Sequence, residues 1–173
     1  NFIGADIGAS NGRLLMARFD GSRFDLEVLH RFPNQFITAA GRAQWDILRI
    51  WNELLAGLTL YTQKYGSRLE GIGIDTWGVD FGLLDRDGQL IGNPVAYRDA
   101  RTDGIPEIVG QIIPASELFA ATGSHFIQFN SIFQLYAMRQ QNDPQLVIAD
   151  TFLLTSDLLN YWFTGVKRVE YTI

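Results

Sequence analysis

Apolar residues crowd two early runs, Phe2-Ile3-Gly4-Ala5-Asp6-Ile7 and Leu14-Leu15-Met16-Ala17-Arg18-Phe19, and a short polar turn separates them. Two such runs about a turn of glycine, serine and asparagine predict a β-hairpin. Asp20-Gly21-Ser22 reads as the next turn. Phe24, Leu26, Val28 and His30 then alternate with Asp25, Glu27, Leu29 and Arg31, the period of a third strand with one wetter face. Three strands joined by short turns make an antiparallel meander. Pro33 to Arg42 reads as a loop. Trp45, Leu48, Trp51, Leu54, Leu55, Leu58 and Tyr61 recur at helical spacing, with Asp46 in the first turn, where the helix dipole favours a carboxylate. Gly66 ends that helix. Gly71-Ile72-Gly73-Ile74-Asp75 is a short strand, parallel to its sheet neighbour because a helical crossover precedes it. Phe81 to Leu84 predicts one more strand, closed by the turn Asp85-Arg86-Asp87-Gly88.

The pattern changes near Pro94. From Thr102 it is mainly helical, punctuated by Pro106, Pro114 and Pro144. Helices are expected over Glu117–Ala121 and Phe129–Gln141. A third begins at Thr155-Ser156-Asp157, which offer N-caps, and stops at Gly165. The expectation is a βββαβ core over 1–93 and a mainly helical lobe over 94–173. The β-prone ending Val169 to Ile173 has no closing element, so the sequence reads as truncated.

Composition narrows the chemistry. Nearly half of the 173 residues are apolar, as a packed core requires. Nineteen acids against fourteen bases give a formal charge of −5, which argues against non-specific nucleic-acid binding. There is no cysteine, and His30 and His125 are the only histidines, so thiolate sites are excluded and a zinc site is not expected. No apolar run is long enough to span a membrane, and no signal-peptide pattern opens the chain, so a cytoplasmic protein without a membrane partner is expected.

Candidate chemistry sits at the first turn. Gly8 and Gly12 let a ligand approach the backbone, and consecutive N–H groups there can form an anion-binding nest. Ser10 adds a hydroxyl, Asn11 an amide and Arg13 a cation, while Asp6 can hold a hard cation through water. The same residues also suit an ordinary tight turn. The predicted order is the start of an α/β fold of the ribonuclease-H-like, actin/hexokinase type. In that arrangement the first and fourth strands are neighbours, which brings Asp6 and Asp75 to one sheet edge, where they can share Mg²⁺. Such an edge serves either two-metal nucleic-acid hydrolysis, with Glu53 as a third carboxylate, or phosphoryl transfer from ATP. The acidic chain and the glycine turn favour the second.

Asp75-Thr76-Trp77-Gly78-Val79-Asp80-Phe81 and Ala96-Tyr97-Arg98-Asp99-Ala100-Arg101-Thr102 resemble the rhamnulokinase branch of the FGGY carbohydrate kinases. The opening Asp6-Ile7-Gly8-Ala9-Ser10-Asn11-Gly12-Arg13 is similar to that family's ATP-phosphate turn. Weaker agreement runs through Gly123, Phe126, Phe129-Asn130, Gln134-Leu135, Asp157, Leu159, Thr164-Gly165 and Glu170-Tyr171-Thr172. The resemblance implies an enzyme that transfers phosphate from MgATP to the 1-hydroxyl of L-rhamnulose. It implies that Ala9, Ser10, Asn11, Gly12 and Arg13 line the ATP phosphates and that Asp6 orients Mg²⁺ through water. It further implies that Gly78 touches the ketose, with Trp77 and Asp75 shaping the pocket and Tyr97 and Arg98 closing it. By their residue types alone, Trp77 also suits a core position, Asp80 a turn cap, and Tyr97 to Arg101 a solvated surface. His30 is expected on a strand surface, and Trp45 and Trp51 in helix packing.

The family's catalytic base is an aspartate that follows a histidine. Here His30 precedes Arg31 and His125 precedes Phe126, so no such pair exists in this chain. The base and a second, adenine-binding domain are expected downstream. The chain alone is therefore expected to lack useful turnover, to bind ATP weakly and to self-associate through an exposed sheet edge. A kinase for another ketose such as L-fuculose or L-xylulose, a non-catalytic sugar- or phosphate-binding module and a ribonuclease-H-like nuclease are the alternatives.

Overall fold

The structure is a computed structural model and describes residues 1–171. Thr172, from the last matching run, and Ile173, from the β-prone ending, lie outside the described residues. In chain order the elements are β1 (Phe2–Ile7), β2 (Asn11–Phe19), β3 (Phe24–Pro33), β4 (Phe36–Ala39), β5 (Arg42–Trp45), α1 (Ile47–Tyr65), β6 (Gly71–Thr76) and β7 (Phe81–Leu84). There follow a single 3-10 turn (Ala100–Thr102), α2 (Ile105–Gly110), α3 (Ala115–Thr122), α4 (Ser131–Gln140), α5 (Gln145–Ile148), β8 (Thr151–Leu154) and α6 (Thr155–Thr164). Val169 and Glu170 are not in a strand.

Two compact units share these elements. The first takes Asn1–Ile37, Trp45–Gly78 and the described residues from Leu153 on; the second takes Thr38–Gln44 and Val79–Phe152. The chain thus passes between units four times, rather than once near residue 93.

In the first unit the sheet order is β3-β2-β1-β6. β1 and β2 pair antiparallel, β2 and β3 antiparallel, and β1 and β6 parallel, as the sequence predicts. One face carries Ile3, Ala5, Ile7, Leu14 and Met16, all at 3% exposure or less. Against it α1 buries Ile50, Leu54 and Tyr61, each such side chain contributing about 1.5–3 kcal/mol. α6 lies alongside, where Trp51 of α1 meets Trp162 and Phe163 with ring centroids 5.5 and 4.4 Å apart.

Several expectations are corrected here. Trp45 closes β5 instead of opening the helix, and Asp46 is the N-cap, accepting the Arg49 N–H at 3.1 Å. Pro33 to Arg42 is not a plain loop: it holds the end of β3 and the β4–β5 hairpin. At α6 the N-cap is Leu154, and Thr155 to Asp157 form the first turn. Within β3 a bulge between the partners of Leu14 and Leu15 reverses the phase of the strand. Phe24 and Leu26 are therefore more than 60% exposed, while Glu27 turns to Lys64 and Tyr65 of α1. Beyond the bulge His30 faces α1, where its Nε2 lies 2.6 Å from Glu53, rather than sitting on an outer surface.

The second unit has an apolar core of Ile105, Val109, Phe133 and Ala137, onto which Leu118, Phe126 and Tyr136 pack. It is helical as expected, but β7 pairs with β8, a strand the sequence reading lacks, and Phe81 lies on Phe152 at 4.5 Å.

Candidate functional site

The turn between β1 and β2 is closed by the Gly8 N–H donating to the Asn11 carbonyl at 2.8 Å. Two further carbonyls of the turn are held by Asn34, only 1% exposed, whose side-chain amide donates to the Gly8 carbonyl at 2.8 Å and whose backbone N–H donates to that of Ser10 at 3.0 Å. Ser10 and Asn11 are exposed at the tip. Gly12 is buried for a steric reason: a Cβ there would meet the Phe32 ring at 2.2 Å. Sequence reasoning did not find Asn34, since one asparagine after a proline carries no periodic signal.

Asp6 and Asp75 are paired residues in the parallel β1–β6 register. Adjacent strands lie about 5 Å apart, so the two carboxylates share one end of one face. That face is opposite α1, because Ala5 and Ile7 are the ones buried under the helix. Arg13, the antiparallel partner of Asp6, donates from Nε at 2.9 Å and from Nη2 at 2.7 Å, both to Oδ2. Glu53 is on the α1 side with His30 and Arg49, so it does not join the pair. Among the described residues no three His, Cys, Asp or Glu side chains gather as a metal site, which removes the three-carboxylate arrangement of a nuclease. Two carboxylates with space above Gly4 and Gly73, where an added Cβ would touch nothing, suit a hydrated Mg²⁺.

Trp77 and Gly78 follow β6. Trp77 is half-buried and packs on Trp45 with centroids 4.2 Å apart, and Gly78 is exposed. In the second unit Tyr97 is half-buried against Phe129 and Arg98 is exposed, its Nε donating to the Tyr97 hydroxyl at 3.2 Å. The stretch that follows is not a solvated surface. Asp99 is 6% exposed, accepts the Ala43 N–H at 2.7 Å and pairs with Arg42 at 3.2 Å. Arg101 is so enclosed that burial lowers its guanidinium pKa, with Asp99 and Asp80 opposing the shift. Asp80 is no exposed turn cap either: it is fully buried. His125 is exposed in a loop, its carbonyl accepting from Asn130.

The signature of the FGGY family of carbohydrate kinases, N-terminal domain, matches residues 1–173. The chain belongs to the FGGY carbohydrate kinases. Rhamnulokinase from Bacteroides thetaiotaomicron is 42% identical over 173 residues, covering all of this FGGY chain and 36% of the relative. Rhamnulokinase from Mannheimia succiniciproducens is 40% identical over 174 residues, with 99% and 36% covered. The chain therefore spans little more than a third of the curated relatives it matches. Among solved structures, xylulose kinase from Lactobacillus acidophilus superposes with a TM-score of 0.81 at 17% identity, over 96% of this chain and 34% of that one. Xylulose kinase from Rhodospirillum rubrum gives 0.81 at 21%, over 97% and 35%. At those identities the likeness shows the FGGY fold. Among the described residues no helix is long and apolar enough to cross a membrane.

Proposed function

We propose that this chain is the N-terminal domain of an ATP-dependent kinase that phosphorylates L-rhamnulose at its 1-hydroxyl. The observation that carries the reading is the 42% identity with a rhamnulokinase over the whole chain. The geometry agrees with it. Ala9 to Arg13 present a tight turn whose carbonyls at Gly8 and Ser10 are occupied by Asn34, which suits a surface meant for anions. Asp6 would hold Mg²⁺ through water, with Asp75 beside it. When bound, the ion neutralises charge on the transferring phosphate. Arg13 adds a cation at the same end of the sheet. Gly78, Trp77 and Asp75 are assigned to the ketose: hydroxyls donate to carboxylate oxygens, and a sugar's apolar face packs on an aromatic ring.

The reading is tested by ADP release from the complete enzyme with L-rhamnulose, L-fuculose and L-xylulose at equal concentration. L-rhamnulose should give the largest kcat/KM, and faster turnover of L-fuculose would overturn the substrate assignment. The 173-residue chain alone should release no ketose-dependent ADP, because no His-Asp pair is present to supply the base. Turnover by that chain would place the base within it.

A further inference from the structure

Among the described residues three non-glycines have a positive φ: Ala40, Val79 and Asn142. Ala40 and Asn142 are turn residues, where small or amide side chains adopt this conformation locally. Val79, at φ 72°, is β-branched, and a β-branched residue in the left-handed region is a steric outlier. Something must hold it. The Ser131 hydroxyl donates to the Val79 carbonyl at 2.7 Å, and the Gln134 side-chain amide donates to the same oxygen at 3.2 Å. Both come from the start of α4. Gln134 is fully buried, and its two amide hydrogens are shared among the Val79 carbonyl, Asp80 Oδ1 at 3.1 Å and the Phe129 carbonyl at 2.9 Å. Its own oxygen accepts from Arg101 at 2.5 Å. Asp80, equally buried, takes the Tyr97 N–H on Oδ2 at 3.1 Å.

Strained backbone of this kind persists only where the surroundings over-determine it, and it gathers at ligand clamps. One peptide bond before Val79 is Gly78, and bonded to Asp80 is the backbone of Tyr97. We infer that Ser131, Gln134 and Asp80 are positioning residues that lock Val79 left-handed and so preset the Gly78–Val79 peptide for the ketose. The inference rests on the kinase reading above. Locking the loop in advance removes an ordering cost that binding would otherwise meet. A loop that is competent only about a tenth of the time raises the apparent KM about tenfold.

The test uses the complete enzyme and reads KM for L-rhamnulose, KM for ATP, kcat and melting temperature. Val79→Gly removes the strain and frees the loop. It should leave the melting temperature equal or higher while raising the KM for L-rhamnulose about five- to tenfold and moving the KM for ATP less than about twofold. Ser131→Ala should shift the same KM in the same direction, and Ser131→Thr, which keeps the hydroxyl, should restore it. Wild-type KM for L-rhamnulose in both Val79→Gly and Ser131→Ala would overturn the clamp and leave the kinase reading standing. Equal losses for both substrates with a lowered melting temperature would also overturn it, as the mark of plain stabilisation. Absence of ketose-dependent ADP release from the wild-type enzyme would overturn the kinase reading, and the clamp with it.

Discussion

Asn34 is a single side chain with two duties, fixing the Gly8 carbonyl with its amide and the Ser10 carbonyl with its backbone N–H. Asn34→Ala leaves a carbonyl in the turn without its donor. In urea titration of the complete enzyme it should cost about 1–3 kcal/mol, and the KM for ATP should rise with little change for the ketose. Asp157 is a second case. It is 5% exposed in the first turn of α6, accepts the Glu170 N–H at 3.3 Å on Oδ1, and leaves Oδ2 without a hydrogen-bond partner. Burial raises its carboxyl pKa, against the lowering effect of the Glu170 N–H. The folded chain thus keeps the proton longer than the unfolded chain, so stability falls as the pH rises from the ordinary aspartate value through the raised one. Asp157→Asn should raise the melting temperature at neutral pH, and the gain should vanish in acid, below the ordinary aspartate range. A constant difference across pH would count against the buried charge. The partnership of Asp6 with Asp75 was legible from the predicted strand order. Asn34 and the depth of Asp80 were not, because burial of one polar residue is set by distant partners.

At the scale of elements, the strands and helix that build the sheet followed from period and punctuation. The misses have physical causes. In β3 the apolar alternation continues through Val28, His30 and Phe32, so the sequence hides the bulge that sends Val28 to one face and His30 to the other. β4 is exposed at all four residues, and its Phe36-Ile37-Thr38-Ala39 run has no two-sided pattern to read. β8 is a four-residue, largely apolar run, and a run that short does not distinguish a strand from a buried helix end. Packing of α1 depends on Gly57, where a Cβ would lie 2.6 Å from Leu14 Cδ2 in the core. Gly57→Ala gains about 1 kcal/mol of helix propensity but overpacks Leu14 at a cost of about 1–3 kcal/mol. A net loss of about 1 kcal/mol in urea titration is expected. A stabilised variant would show that Leu14 can yield.

Over the whole molecule, the sequence suggests one change of character near Pro94, whereas the chain passes between its two units four times. Local pattern cannot show that the stretch from Leu153 to Tyr171 returns to the first unit, since that depends on contacts remote in sequence. Leu153, Leu158 and Leu159 are each 1% exposed or less, and Trp162 meets Trp51. Ending the chain after Phe152 should therefore remove about 1.5–3 kcal/mol of burial for each leucine and expose the Trp51 indole. The expected readout is red-shifted tryptophan emission and loss of cooperative unfolding. A truncated chain with unchanged emission and midpoint would show that the first unit stands without α6.

The in-register partnership of Asp6 with Asp75 makes strand length a chemical variable. Side chains alternate between faces, so deleting one residue within Ile3 to Ala5, or within Ile72 to Ile74, would turn one carboxylate under the helix and leave the other outside. The same deletion in the link between α1 and β6 leaves both strands in phase and gives up only local contacts, such as the hydrogen bond from the Glu70 N–H to the Asn1 carbonyl. Descendants of this gene should thus tolerate length changes at residues 66–70 and purge them from the two strands, even where every substituted residue is chemically mild.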